Sequence, residues 1–274
     1  MVQKENDKKC DPFLKWAGGK RWLLSRHSFT IPNALNKYIE PFMGSGAIFF
    51  QLHPKEAILS DINKELMDTY RAIKENWQRV FKKLQKHHKL HNKEYYYEIR
   101  KSRPQILYDR AARFIYLNRT CWNGLYRVNL KGEFNVPIGT KTTVVREQDN
   151  FDKISKLLEK ATILDGDFEG IINKADKDDL VFVDPPYTIL HDDNGFTKYN
   201  EKLFRWEDQI RLRDCLKRAK DRGSKIIVTN ASHNSIKKLY ESEFNITEIQ
   251  RCSIIAASSE KRKSCKELII TNFI

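Results

Sequence analysis

Two apolar runs without alternation, Leu180-Val-Phe-Val183 and Ile226-Ile-Val228, constrain the fold more than any other feature of the chain. A strand wetted on one face alternates apolar with polar residues, so an unbroken run predicts a central strand covered on both faces. β-rich runs at residues 37–42, 57–60, 162–164, 180–183 and 225–229 are separated by helical patterns. That alternation predicts a parallel sheet joined by crossover helices, an α/β fold. One helix is expected over about residues 206–222, presenting Ile210, Cys215, Leu216 and Ala219 to the sheet. Gly223 suits the left-handed position just past its end.

The strand-helix rhythm stops between about residues 67 and 145, where Lys, Arg, His and Tyr crowd together. An insertion is therefore expected: residues 1–66 and 146–274 as one domain, 67–145 as another. The length of 274 residues suits this, since one domain commonly holds roughly 100–200. Within the insertion Ile73, Trp77, Val80, Phe81 and Leu84 recur at helical spacing, with Arg79, Lys82, Lys83 and Lys86 mostly on the other faces. This predicts a basic amphipathic helix, for which the plainer reading is a solvated helix packed on its neighbours.

The net charge of +14 favours an extended polyanion as partner, nucleic acid before an anionic membrane. The membrane reading is the weaker because no apolar stretch approaches the roughly 20 residues of a span. Residues 1–9 are polar and charged, unlike a secretory signal, so the cytoplasm is the expected compartment. Cys10, Cys121, Cys215, Cys252 and Cys265 are widely spaced, without a C-x-x-C pair. They read as reduced thiols, and no metal site is expected.

The sharpest motif is Asp184-Pro185-Pro186-Tyr187, directly after the apolar run ending at Val183. Ligands of open α/β sheets bind beyond the carboxyl ends of the strands, which is where this carboxylate falls. Prolines have no N–H, so the carbonyl oxygens here stay free as acceptors. An aromatic amine is a poor nucleophile because its lone pair is delocalised into the ring. The Asp184 carboxylate and the Pro185 carbonyl are two acceptors that would draw its N–H bonds out of conjugation, while Tyr187 stacks on the base. The plainer alternative is a rigid strand-ending turn with a capping Asp.

Glu40-Pro41-Phe42-Met43-Gly44-Ser45-Gly46 forms a second motif, running from a strand into a helix that contains Ile48, Phe49 and Leu52. A glycine-rich bend there lets a ligand approach the backbone. Position 49 is Phe, so the full G-x-G-x-x-G pattern fails and a dinucleotide pyrophosphate site is disfavoured. The next strand ends at Asp61, which could accept from ribose hydroxyls; helix capping by Asp61 or Asn63 is the alternative. A third motif, Lys15-Trp16-Ala17-Gly18-Gly19-Lys20, is not a P-loop, because Leu14 and Arg21 break that pattern. Its glycines would bend the chain to bring Lys20 to a carboxylate, with Trp16 as a stacking surface, unless it is an ordinary exposed turn.

With these motifs in this order, the chain resembles the Dam-type DNA adenine-N6 methyltransferases of the alpha group, the D12 class, from Phe13 almost to the C-terminus. The resemblance implies a Rossmann-like S-adenosylmethionine-dependent methyltransferase sheet with an inserted, mostly helical target-recognition domain carrying a β-hairpin. It implies a site-specific enzyme that methylates adenine N6 in double-stranded DNA by base flipping. S-adenosylmethionine is the implied cofactor, without metal, bound by Trp16, Lys20, Glu40, Pro41, Phe42, Gly44, Gly46, Asp61 and Asp184. Asp167 is implied to lie near the cofactor adenine. Asp184, Pro185 and Tyr187 are the implied catalytic residues.

Residues 119–139 resemble the recognition hairpin of that family. The resemblance implies DNA contacts from Lys15, Arg119, Asn123, Leu125, Arg127, Asn135 and Pro137, with Trp122 inserting at the vacated base position. Arg127 could grip guanine O6 and N7, and Leu125 or Pro137 could touch a thymine methyl. The alternative is a hairpin whose Trp packs in its own core. GATC is the target implied. Residues 188–200 are expected to be a loop that orders over the flipped base, or else a passive surface loop. The partners expected are double-stranded DNA, with the chain acting as a monomer at the nucleoid, and a cognate restriction endonuclease where it serves in restriction-modification. Methylation of cytosine N4 or of a glutamine amide is the nearest rival activity, and a DNA-binding protein without catalysis is the rival from another class.

Overall fold

The computed structural model describes residues 10–24, 31–32, 35–129, 131–189, 204–252 and 264–273. In chain order the elements are β1 (Tyr38–Glu40), α1 (Phe49–Leu52), β2 (Ala57–Asp61), α2 (Lys64–Leu90), α3 (Lys93–Lys101), α4 (Leu107–Thr120), a 3-10 turn (Trp122–Gly124) and α5 (Phe151–Glu159). Next come β3 (Ala161–Asp165), α6 (Phe168–Ile172), β4 (Leu180–Val183), α7 (Trp206–Asp221), β5 (Lys225–Ala231), α8 (Asn234–Tyr240), β6 (Asn245–Cys252) and β7 (Ser264–Thr271). The strands form a seven-stranded, mixed sheet in the order β3-β2-β1-β4-β5-β7-β6. The expected α/β architecture is present. The chain divides into two compact units, Met1–Pro32 with Met43–Gly166 and Asn33–Phe42 with Asp167–Ile274.

In the second unit β1, β4 and β5 run parallel, with Ile39 opposite Val181 and Val183 opposite Val228. All four residues of β4 and the five central residues of β5 are buried, as the unbroken apolar runs predict. β7 pairs antiparallel with both β5 and β6. These last two strands were not anticipated. β6 has mostly exposed or half-buried residues and little apolar signal, as an edge strand does.

Helix α7 buries Leu212, Cys215, Leu216 and Ala219, spaced to share one face. Ile210 is corrected: it is 37% exposed, because it sits off the stripe that Leu212 shares with Cys215 and Leu216. Gly223, at φ 92°, supplies the left-handed turn past the helix.

In the first unit β2 and β3 pair in parallel from Ala57–Ala161 to Asp61–Asp165. Helix α2 buries Leu66, Met67, Tyr70, Ile73, Val80 and Leu84 and packs against α4 and α5. Lys82, Lys83 and Lys86 are exposed on its other faces, as the amphipathic pattern predicts. The helix is interrupted at Asn76 (φ −159°, ψ 80°), whose side chain accepts from the Arg79 N–H at 3.0 Å. Asn76 thus caps the second half of α2, a polar break that the apolar spacing does not reveal. Among the described residues the expected hairpin shows two isolated antiparallel bridges, Cys121 with Ile138 and Val128 with Phe134. Among the described residues no helix is long and apolar enough to cross a membrane.

Candidate active site and nucleic-acid interface

Parallel register brings the carboxyl ends of β1, β4 and β5 to one edge of the second unit. Glu40 follows Ile39, the partner of Val181, and Asp184 is level with Thr229. The Thr229 hydroxyl donates to the Asp184 carboxylate at 2.6 Å. The next two residues, Pro185 and Pro186, bring no backbone donor. The Tyr187 hydroxyl donates to the Glu267 carboxylate at 3.2 Å. Burial, followed by the charges of Asp184 and Glu267, raises the Tyr187 phenol well above its ordinary range, so it stays protonated.

The chain past the turn is held by buried polar groups. Thr188 donates to the Phe204 carbonyl at 2.6 Å, and Gln209 donates to Thr188 O while accepting from Asn230. Phe42, half-buried after the buried Glu40 and Pro41, stacks on Phe168 at 5.5 Å and meets Phe204 edge-on at 5.7 Å. Asp167 caps α6 and pairs with both terminal nitrogens of Arg211 at 2.7 and 2.8 Å. The Arg211 hydrogen bonds lower the Asp167 carboxyl below its ordinary range. The expected loop at 188–200 falls, from residue 190 on, outside the described residues.

The first unit carries the bend after Met43. Asp61 accepts from the Gly44 N–H at 3.0 Å and from the Asn63 N–H at 2.9 Å. Burial raises its carboxyl above the usual range, against the backbone donors of Asn63, Gly44 and Ile62. Asn63 caps α2 by accepting from Leu66 N, so the capping role and the strand-end carboxylate belong to different residues. Gly44 (φ 49°) is required twice over, since a Cβ there would lie 2.7 Å from Trp16 Cδ1. At Gly46 (φ 65°) a Cβ would meet Met43 Cε at 2.8 Å. Trp16 therefore packs directly on the bend, and Gly19 comes near the Ser45 hydroxyl. Lys20 is buried, with Nζ donating to Gly18 O at 2.7 Å.

The recognition segment shows an outward and an inward set. Lys15, Trp122, Asn123, Leu125, Arg127 and Pro137 are exposed, and Asn135 is half-buried. Trp122 is 52% exposed, which sets aside a Trp packed in its own hairpin core. Arg127 Nε donates to Asn135 Oδ1 at 2.8 Å, and Asn135 N donates to Arg127 O. Burial, then the charges of Lys141 and Arg146, lowers the Lys15 ammonium, with Cys121 opposing.

Arg119 is corrected as a DNA contact. It is buried, with its guanidinium donating to the Asp149 carboxylate, Val144 O and Phe13 O. It ties Phe13 to Val144 and Asp149, past the recognition segment, and has no side-chain surface from which to reach a duplex.

Four residues were missed by sequence reasoning. Ile62, 75% exposed between Asp61 and Asn63, is an apolar surface at a strand tip, a signal visible in the letters once the strand end is known. Thr229 carried no signal in the sequence; its hydrogen bond to Asp184 comes only from the pairing of β4 with β5. Tyr126 is inward by simple alternation between Leu125 and Arg127. Asn118 is a polar residue inside a buried helix, where a partner is to be expected.

A family model described as D12 class N6 adenine-specific DNA methyltransferase matches residues 16–254. The type II methyltransferase M1.LlaDCHI of Lactococcus lactis subsp. cremoris is 39% identical over 271 residues, covering 96% of this chain and 95% of the relative. The type II methyltransferase M.MjaIII of Methanocaldococcus jannaschii is also 39% identical, covering 96% and 99%. A DNA adenine methylase of Haemophilus influenzae is 34% identical, covering 94% and 92%.

Proposed function

The chain belongs to the D12 class N6 adenine-specific DNA methyltransferases, and on that footing we propose which residues carry the transfer and which sequence it marks. It is an enzyme that methylates adenine N6 in DNA. S-adenosylmethionine is the proposed cofactor, and it supplies, when bound, a methyl group made electrophilic by its sulfonium sulfur.

Residues of both kinds needed by such a cofactor are present. Asp61 accepts from the N–H groups of Gly44 and Asn63 and keeps acceptor capacity for a hydroxyl donor. Ile62 offers an exposed apolar face beside it, and Trp16 an indole against the bend. These residues, with Gly44, Gly46 and Lys20, are proposed to hold the cofactor. Glu40, Pro41, Phe42 and Asp167 are proposed as further cofactor contacts on the ground of the family resemblance.

The observation that carries the catalytic reading is Asp184 at the tip of a fully buried strand, fixed by Thr229 and followed by two residues without N–H. Asp184 and the Pro185 carbonyl accept the two N–H bonds of the adenine amine and localise its lone pair for attack on the methyl carbon. The amine becomes acidic only as the new bond forms, so Asp184 orients it and drains positive charge instead of removing a proton beforehand. Tyr187 lies within the same turn and stacks on the base.

Reaching the amine in a duplex requires an extruded base. Trp122 is exposed and suits the vacated space, while Asn123, Leu125, Arg127 and Pro137, with Lys15, read the flanking base edges. Asn135 holds Arg127 in place. Residues 67–145 are proposed as the target-recognition domain, and GATC as the target. A restriction-modification setting is supported by two relatives named as type II methyltransferases. Digestion of treated DNA with methylation-sensitive nucleases tests the target: GATC sites become protected. Open GATC sites beside protection elsewhere would remove that assignment.

A further inference from the structure

Between the exposed Leu125 and Arg127, Tyr126 points the other way. Its ring stacks on Trp16, with centroids 5.5 Å apart and planes 25° from parallel. Phe114 completes the cluster, 5.2 Å from Tyr126 and 6.3 Å from Trp16. The Tyr126 hydroxyl donates at 3.1 Å to Glu65, in the first turn of α2, two residues past the Asn63 cap that follows Asp61. One side chain therefore touches the indole packed on the Gly44 bend and the helix start beyond Asp61. The same residue's backbone carries Leu125 on one side and Arg127 on the other.

A second tie runs beside it. Asn118 is buried, accepts from Lys15 N at 2.9 Å and donates to Lys15 O at 2.8 Å. Gly124 lies so close that a Cβ would stand 2.6 Å from Lys15 Cδ. The 3-10 turn is thus seated on the residue immediately before Trp16.

We propose that Tyr126 is a positioning residue that couples target reading to cofactor binding, an inference that rests on the cofactor and base-reading roles assigned above. A ligand that fixes the Trp16 indole restricts the ring stacked on it. Leu125 and Arg127 are then held in one pose before DNA arrives. Linkage is reciprocal, so a duplex gripped by Leu125 and Arg127 tightens cofactor binding by the same factor. Phe in place of Tyr126 keeps the stack and loses the hydroxyl's ties to Glu65 and Asn63, whereas Ala or Leu removes the flat ring.

The test is calorimetric binding of S-adenosylhomocysteine to the full chain, alone and with a duplex bearing one GATC site. The wild type is expected to bind at least about 5-fold more tightly with the duplex, the lower end of ordinary allosteric coupling. Tyr126→Ala and Tyr126→Leu are expected to bring that ratio towards one with cooperative melting retained, and Tyr126→Phe to preserve it. Tyr126→Leu keeps side-chain bulk and so answers a folding failure of the Ala variant. A wild-type ratio of one, or a wild-type ratio retained in the folded Ala or Leu variant, overturns the proposal. Trp16→Ala separates the two levels: weakened binding keeps the cofactor reading even when the coupling fails, whereas unchanged binding removes both.

Discussion

Two carboxylates stand at the ends of parallel strands, Asp61 as the last residue of β2 and Asp184 just after β4, and their surroundings are opposite. Asp61 is met by backbone donors, the N–H groups of Gly44 and Asn63. Asp184 is met by a side chain, the Thr229 hydroxyl, and is succeeded by two prolines that donate nothing. The first carboxylate therefore fixes a bend on which Trp16 packs. The second is held in place while the chain after it offers only acceptors. The two residues after the aspartate, Ile62-Asn63 or Pro185-Pro186, decide whether the same residue type at a strand tip meets backbone donors or is left for another donor, the substrate amine in the role proposed for Asp184.

The largest effect should come at the β4 tip. Asp184→Ala is expected to lower methyl transfer by at least about a thousand-fold, the range for losing a positioned group that meets charge in the transition state. Single-turnover transfer from labelled cofactor measures it, and near-normal turnover would break the comparison. Next comes the bend at the β2 tip. Gly44→Ala forces a Cβ towards Trp16 Cδ1 at a positive φ, and is expected to destabilise the fold by about 2 kcal/mol and to weaken cofactor binding. Thermal melting and calorimetry check both, and an unshifted melting curve would show that the bend is not sterically fixed.

The smallest effect is a pH slope. Burial raises the folded Asp61 carboxyl above its ordinary 3.8, so the folded state holds this proton more tightly than the unfolded chain. The Asp61 contribution to stability is present below 3.8 and is lost as pH rises through the folded value. Relative to Asp61→Asn, the wild type should therefore lose stability on going from about pH 4 towards neutrality. A difference that is flat across that window would remove burial as the dominant influence on Asp61.

Much of this was legible in the letters. The unbroken runs at 180–183 and 226–228 signalled covered strands because two-sided burial removes alternation. The motif around Asp184 could be placed because a strand end fixes where a carboxylate goes. β6 escaped notice because an edge strand with exposed positions lacks a core face to pattern. Arg119 was misplaced because it opens the segment that resembles the family's recognition hairpin, and only the fold brings Asp149, Val144 and Phe13 around it. Thr229 and Tyr126 meet partners far off in sequence, at Asp184 and Trp16. Spacing along the chain carries no record of such pairs.

The separation of roles between the two strand tips is tested most directly by measuring S-adenosylhomocysteine affinity and the single-turnover methylation rate in Asp61→Asn and Asp184→Asn side by side. Asp61→Asn is expected to lose mainly affinity, whereas Asp184→Asn is expected to lose mainly rate. Equal losses of the same quantity in both variants would contradict that separation.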